Sequence, residues 1–222
     1  MTPAVQAFEN RAALMQAAAE RLAHALRSGL GARGSACVAL SGGTTPGPAY
    51  ALLAQMPLDW PRISFALVDE RCVSADDPAS NEGLLRRMLA PALAQGAQLA
   101  PMHGDGADAR YAALHIDAAL LGMGEDAHTA SWFPGADGLD DALDLANPHT
   151  IAAVHAPKAG GAAARLTLTR TALARADRLI LLIAGNAKRE RLAAAQAQPP
   201  HEAPVAALFQ PPLPTPEVLW AP

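Results

Sequence analysis

The sequence predicts an α/β protein built on a mostly parallel sheet with helices on both faces. Three observations lead there. Short apolar runs at 36–40, 63–68, 116–121 and 178–184 lack strict alternation, as strands buried on both faces do. Stretches of helical periodicity separate them. Glycine, hydroxyl and charged residues follow directly on several of these runs, and in open α/β sheets ligands gather beyond the carboxyl ends of the strands.

Each element follows in order. Residues 8–27 suit an amphipathic helix with Phe8, Leu14, Leu22 and Leu26 among its apolar positions and Asn10 as its cap. The strand at 36–40 runs into Ser41-Gly42-Gly43-Thr44-Thr45, and Pro46 suits the first turn of a helix behind that loop. The strand at 63–68 is closed by Asp69-Glu70-Arg71, three charges that are expected to be exposed or mutually paired. Ser80 or Asn81 starts a helix reaching about Leu89, and 108–114 leaves room for about two helical turns. The third strand is expected at 116–121. Residues 150–155, 165–169 and 178–184 are further strands, 186–196 a helix, and 217–220 a final edge strand. There is no internal repeat. The prolines at 199–200 and 211–216 read as loops tying down the end of the chain, so one domain over 1–222 is expected.

Composition narrows the function. A net charge of −4 without a long basic run argues against nucleic-acid binding. The hydrophobic fraction of 51% is largely alanine, which favours helix and carries no functional message. Residues 1–4 show no leader pattern, and no apolar run reaches the ~18 residues of a membrane span. A cytoplasmic chain without membrane contacts is expected. Cys37 and Cys72 lack CxxC spacing and read as two buried free thiols.

Four segments carry candidate chemistry. In residues 122–135, GMGEDAHTASWFPG, two glycines break a strand and deliver Asp126 and His128. His128 is the candidate general base, with Asp126 orienting the ring or binding sugar. The loop Ser41, Gly42, Gly43, Thr44, Thr45 offers backbone N–H groups and hydroxyls for a phosphate, although an ordinary strand-to-helix turn looks the same. It is neither a Walker loop nor a dinucleotide fingerprint. Asp69 and Arg71 stand at a strand end, Asp69 as acceptor for a substrate hydroxyl and Arg71 for a phosphate. Arg165 and Lys188 are late cations suited to a dianion, or plain surface charges. No G-x-S-x-G elbow appears, so covalent serine hydrolysis is unsupported, and without metal-ligand spacing no metal is expected.

Taken together, SGGTTP at 41–46, VDER at 68–71, SN at 80–81, the 122–135 segment, RLTLT at 165–169 and the Gly185/Lys188 pair resemble the 6-phosphogluconolactonase family. That family is related to glucosamine-6-phosphate deaminase and shares its sugar-phosphate isomerase-like fold. The resemblance implies cofactor-independent hydrolysis of 6-phospho-glucono-1,5-lactone in the oxidative pentose phosphate pathway. It implies His128 as the base for water, the 41–45 loop, Arg165 and Lys188 as phosphate and sugar contacts, and Asp69 and Arg71 as site residues. The protein is then a monomer or homodimer acting on a phosphorylated sugar lactone. A deaminase or isomerase is the alternative enzyme, and a non-catalytic sugar-phosphate sensor the alternative class. The deaminase pattern carries a Glu shortly after its histidine, whereas here no acid follows His128 until Asp137. Two departures stand out: Ala127 where the family usually has glycine, and a short 101–115 stretch before the third strand.

Overall fold

A computed structural model describes residues 5–222; residues 1–4, where a leader was sought, lie outside the described residues. The strands are β1 (Val5–Ala7), β2 (Ala36–Leu40), β3 (Ile63–Leu67), β4 (Asp69–Arg71), β5 (Gln98–Leu99), β6 (Ala118–Leu121), β7 (Ile151–His155), β8 (Ala164–Leu168), β9 (Leu179–Ala184) and β10 (Glu217–Ala221). The α-helices are α1 (Arg11–Arg33), α2 (Gly47–Leu53), α3 (Asn81–Met88), α4 (Ala90–Ala94), α5 (Ala107–Ala112), α6 (Leu139–Leu143), α7 (Arg170–Ala174) and α8 (Asn186–Ala195).

Seven strands form one sheet in the order β1-β10-β9-β6-β2-β3-β5, and every pairing within it is parallel. The central strands are buried along their length, with Val38 opposite Phe65 and Leu182 opposite Leu219. That is why they read as continuous apolar runs. Helix α1 begins where Asn10 accepts the Ala13 N–H at 2.9 Å and ends at Gly34, whose φ of 74° suits a left-handed cap. Leu14, Leu22 and Leu26 on this helix are fully buried, as are Ala18, Ala19 and Ala23, which let the helix approach closely. Gly29 is required by its neighbour. A Cβ there would stand 2.2 Å from the buried Asp117 carboxylate, which accepts the Cys37 N–H and pairs with Arg33.

The structure corrects the sequence reading in four places. The 150–155 and 165–169 segments do not join the parallel sheet; β7 and β8 pair antiparallel with β4 in a separate three-stranded sheet. The 217–220 segment is not an edge strand, because β1 pairs outside β10 and takes that edge. Asp69 and Glu70 are neither exposed nor paired with one another. Both are buried on β4, with their carboxylates satisfied by donors from other segments. Cys72 is exposed, because it follows the end of β4 where the chain leaves the sheet. Cys37 is buried as expected, and burial together with Asp117 pushes its thiol up to about 12.

The short 101–115 stretch forms the six-residue α5. Its Tyr111 is buried. The hydroxyl accepts the Leu67 N–H at 3.0 Å and donates to the Ala100 carbonyl at 2.9 Å, closing the surface beside β3.

Candidate active site

A cleft of about 390 Å³ opens where the carboxyl ends of β2, β6 and β9 meet β4 and β8 of the small sheet. Much of the lining is built by chain leaving the parallel strands, and β4 and β8 add Asp69, Arg71 and Arg165. After β2 come Ser41, Gly42, Gly43 and Thr45; after β6 come Gly122, Met123, Gly124 and His128; after β9 comes Lys188. The N–H groups of Gly42 and Gly43 make no hydrogen bond to the described residues and stand at the cleft. Tyr50 from α2 donates to the Ser41 carbonyl at 2.8 Å and holds the loop from behind.

The loop after β6 is shaped around one side chain. The His128 Nδ1 lies 2.6 Å from the Asp126 carboxylate, which also accepts the His128 backbone N–H at 3.1 Å. With Nδ1–H committed to the carboxylate, Nε2 is left as the basic nitrogen. Partial burial pushes the Asp126 carboxyl up, but the hydrogen bonds and charge of His128 outweigh it and hold the carboxyl below its ordinary value. The imidazole stacks on Phe133 with ring centroids 4.0 Å apart. Gly124 makes room for this pair: a Cβ there would lie 2.1 Å from His128 Nδ1 and 2.7 Å from the Asp126 carboxylate.

Opposite this loop, Asp69 is buried under the cleft floor. Ser131 donates to its carboxylate at 2.6 Å and Asn81 at 3.2 Å. Desolvation raises the Asp69 pKa above its ordinary value, against the pull of Ser131, Arg71, Arg165 and His128. Glu70 does different work. Its two oxygens accept the N–H groups of Arg71, Asn81 and Glu82 and the Ser80 hydroxyl, clamping the start of α3 onto β4. Asn81 is thereby aimed at the cleft, and Gly42 yields to it, since a Cβ on Gly42 would fall 1.8 Å from Asn81 Oδ1. That Oδ1 is buried without a protein partner among the described residues.

Cations dominate the lining. Arg71 and Arg165 face one another across the β4–β8 pair, a juxtaposition of like charges that costs stability. The Nε atoms of both are buried without a partner among the described residues. Arg71 donates to the Ala79 carbonyl and Arg165 to the Gly160 carbonyl, and Arg165 lies over the Phe133 ring at 4.9 Å. Burial, then repulsion from Arg71, lowers the Arg165 pKa. Lys188 donates to the Met123 carbonyl, and Arg11 at the start of α1 completes the set. Four cations and one carboxylate line the cleft, a formal charge of +3 with His128 neutral. Such a site is fitted to a multiply charged anion.

Of the residues expected from sequence, Ser41, Gly42, Gly43, Thr45, Asp69, Arg71, His128, Arg165 and Lys188 come together here. Two do not line the cleft. Thr44 is exposed on the loop, turned away by the bend through Gly43, whose φ is 91°. Asp126 stands behind His128 and reaches the cleft only through the ring. Arg11 and the cleft-facing role of Asn81 were missed. For Arg11 the signal, an arginine just past a parallel strand, depended on recognising β1. One potential metal-ligating group, His115, Asp117 and Asp177, exists among the described residues. It lies at the opposite end of β6 from the cleft, with Arg33 already on Asp117.

The family model for glucosamine-6-phosphate isomerases/6-phosphogluconolactonase matches residues 9–220. The chain belongs to that family. Among similar proteins is the 6-phosphogluconolactonase of Mesorhizobium japonicum, 40% identical over 97% of this chain and 94% of its own. That of Caulobacter vibrioides is 39% identical over 98% and 97%. A crystal structure of a 6-phosphogluconolactonase from Shewanella baltica superposes with a TM-score of 0.90 at 31% identity, covering 99% of this chain and 98% of that one.

Within the glucosamine-6-phosphate isomerase/6-phosphogluconolactonase family this chain keeps a costly feature at its centre. Ala127 has φ 66° and Ala130 φ 48°, left-handed values that cost a non-glycine residue about 1–2 kcal/mol each. Ala127 is held there by the Val205 N–H, which donates to its carbonyl at 3.0 Å. His128 therefore sits between two strained residues and keeps its contact with Asp126. No helix among the described residues is long and apolar enough to cross a membrane.

Proposed function

We propose that this protein hydrolyses 6-phospho-D-glucono-1,5-lactone to 6-phospho-D-gluconate in the oxidative pentose phosphate pathway, with His128 activating the water. The observation that carries the reading is the Asp126–His128 pair fixed at the rim of a cleft with a formal charge of +3. The phosphate docks on the Gly42–Gly43 N–H groups and the cations, which sets the lactone carbonyl beside His128. Water attacks the carbonyl carbon as Nε2 takes its proton, and Asp126 stabilises the imidazolium. The bond from that carbon to the ring oxygen then breaks, and the imidazolium returns the proton to this oxygen. Asp69 and Asn81 accept and orient sugar hydroxyls. The deaminase alternative lacks its acid. Asp137, the first acid after His128, has its backbone tied to His155 in an antiparallel bridge.

The test is lactone hydrolysis measured above the spontaneous rate. His128→Ala is expected to lower kcat by about 10²–10⁴-fold while 6-phosphogluconate still binds, and Lys188→Ala or Arg165→Ala mainly to raise KM. Near wild-type turnover in His128→Ala refutes the general-base role.

A further inference from the structure

Three of the four cleft cations are already engaged by the protein: Arg71 by Ala79, Arg165 by Gly160 and Phe133, Lys188 by Met123. Arg11 differs. It lines the same cleft, is exposed, and makes no side-chain hydrogen bond or ion pair to the described residues. Its placement is not incidental. Strand β1 runs parallel to the rest of the sheet, so the residues after it emerge on the ligand side, as those after β2, β6 and β9 do. The Phe8 N–H donates to the Trp220 carbonyl at 2.8 Å. The Trp220 indole in turn donates to the Gly185 carbonyl at 2.9 Å, directly before the helix that carries Lys188. This chain of bonds fastens the start of α1 to the start of α8, so Arg11 and Lys188 share one wall. The Asn10 cap sets the first turn of α1 and with it the direction in which Arg11 leaves the helix.

We propose that Arg11 is a specificity residue that selects the phosphorylated form of the substrate. It reaches from the α1 wall to the phosphate, beside Lys188 and across from the Ser41–Gly43 loop. The proposal rests on the lactonase reading above. A guanidinium without a protein partner loses none of its own bonds when it meets a phosphate, and it presents two parallel donors. Being exposed, it contributes less than a buried arginine, on a scale of roughly two- to fivefold in affinity. An unphosphorylated lactone offers it no charge to grip.

The experiment compares wild-type protein, Arg11→Ala and Arg11→Lys on 6-phosphoglucono-1,5-lactone and on unphosphorylated glucono-1,5-lactone. Calorimetric binding of 6-phosphogluconate and of gluconate is measured alongside. Arg11→Ala is expected to raise KM for the phosphorylated lactone roughly two- to fivefold with kcat little altered. The ratio of kcat/KM between the two lactones is expected to fall by the same factor, and Arg11→Lys to recover part of it. A KM for the phosphorylated lactone within experimental error of wild type overturns the proposal, as does an equal loss on both lactones. If wild-type protein hydrolyses neither lactone, the lactonase reading fails. The role of Arg11 is then decided by binding alone: weaker 6-phosphogluconate binding in Arg11→Ala with gluconate unaffected supports it, and equal affinities overturn it.

Discussion

Adding a single methyl group at Gly124 tests whether the Asp126–His128 geometry carries the chemistry. The backbone of Gly124 is not in the left-handed region, so alanine fits its φ and the perturbation is confined to the new Cβ. That atom would stand 2.1 Å from His128 Nδ1 and 2.2 Å from Cε1, where ordinary contact begins near 3.4 Å. The ring must move by about 1.3 Å, which breaks the 2.6 Å bond to Asp126 or tilts the imidazole off Phe133. A misplacement of about 1 Å in a reacting group costs on the order of 10²-fold. Gly124→Ala is therefore expected to lower kcat about 100-fold, with 6-phosphogluconate affinity within about twofold of wild type because the cations are untouched. Acid release in a pH-stat, corrected for spontaneous opening, reads kcat; thermal unfolding confirms that the variant is folded. A folded variant with turnover within about threefold of wild type would show that the position of this imidazole is not what the reaction depends on.

The other predictions concern stability. Ala127→Gly relieves a left-handed residue, worth about 1–2 kcal/mol, but loses a buried methyl worth about 0.8 kcal/mol. A net gain of about 0.5 kcal/mol, or ~1–2 °C in Tm, is expected by calorimetry, and a clear loss contradicts the strain assigned to that turn. Asp69 has a raised pKa in the folded state, so the native protein keeps a proton that the unfolded chain releases. Its contribution to stability thus falls as pH rises from the ordinary carboxylate value through the folded one. Denaturant titrations of Asp69→Asn against wild type should show a stability advantage that grows across that window and then levels off; an advantage that is flat or shrinks with pH is the contrary result.

The parts of this molecule legible in sequence are those where one physical signal dominates. Ala36–Leu40 and Leu179–Ala184 are apolar throughout because both faces of their strands are covered. Asn10 and Ser80 cap helices with their own side chains, a local rule that needs no tertiary knowledge. The Asp126–His128 contact is likewise local, two residues apart. What escaped depended on distant partners. Val5-Gln6-Ala7 has no apolar run and is a strand only because β10 lies beside it, and losing β1 meant losing Arg11. Asp69 and Glu70 look like a solvated loop, yet they are buried because Ser131 and the N–H groups of α3 are brought to them from 62 and 12 residues away. The small antiparallel sheet escaped for the same reason, since β7 and β8 follow the period of strands without declaring which sheet they join.

The pairing of β1 with β10 also bears on how the molecule is made. Val5 lies opposite Val218, so the first described strand cannot find its partner until residue 218 has left the ribosome. Closing so long a loop is among the slow steps of folding a parallel sheet. Until then the wall bearing Lys188 lacks the Trp220 indole that holds Gly185, and the Phe8 N–H just before α1 lacks its carbonyl partner. The loop after β6 takes partners from Arg165, Thr167, Leu168, Lys188, Arg191 and Val205, all of them synthesised before β10. The Asp126–His128 pair thus has its partners before β10 is made, and that five-residue strand then completes the wall of the cleft that carries Lys188.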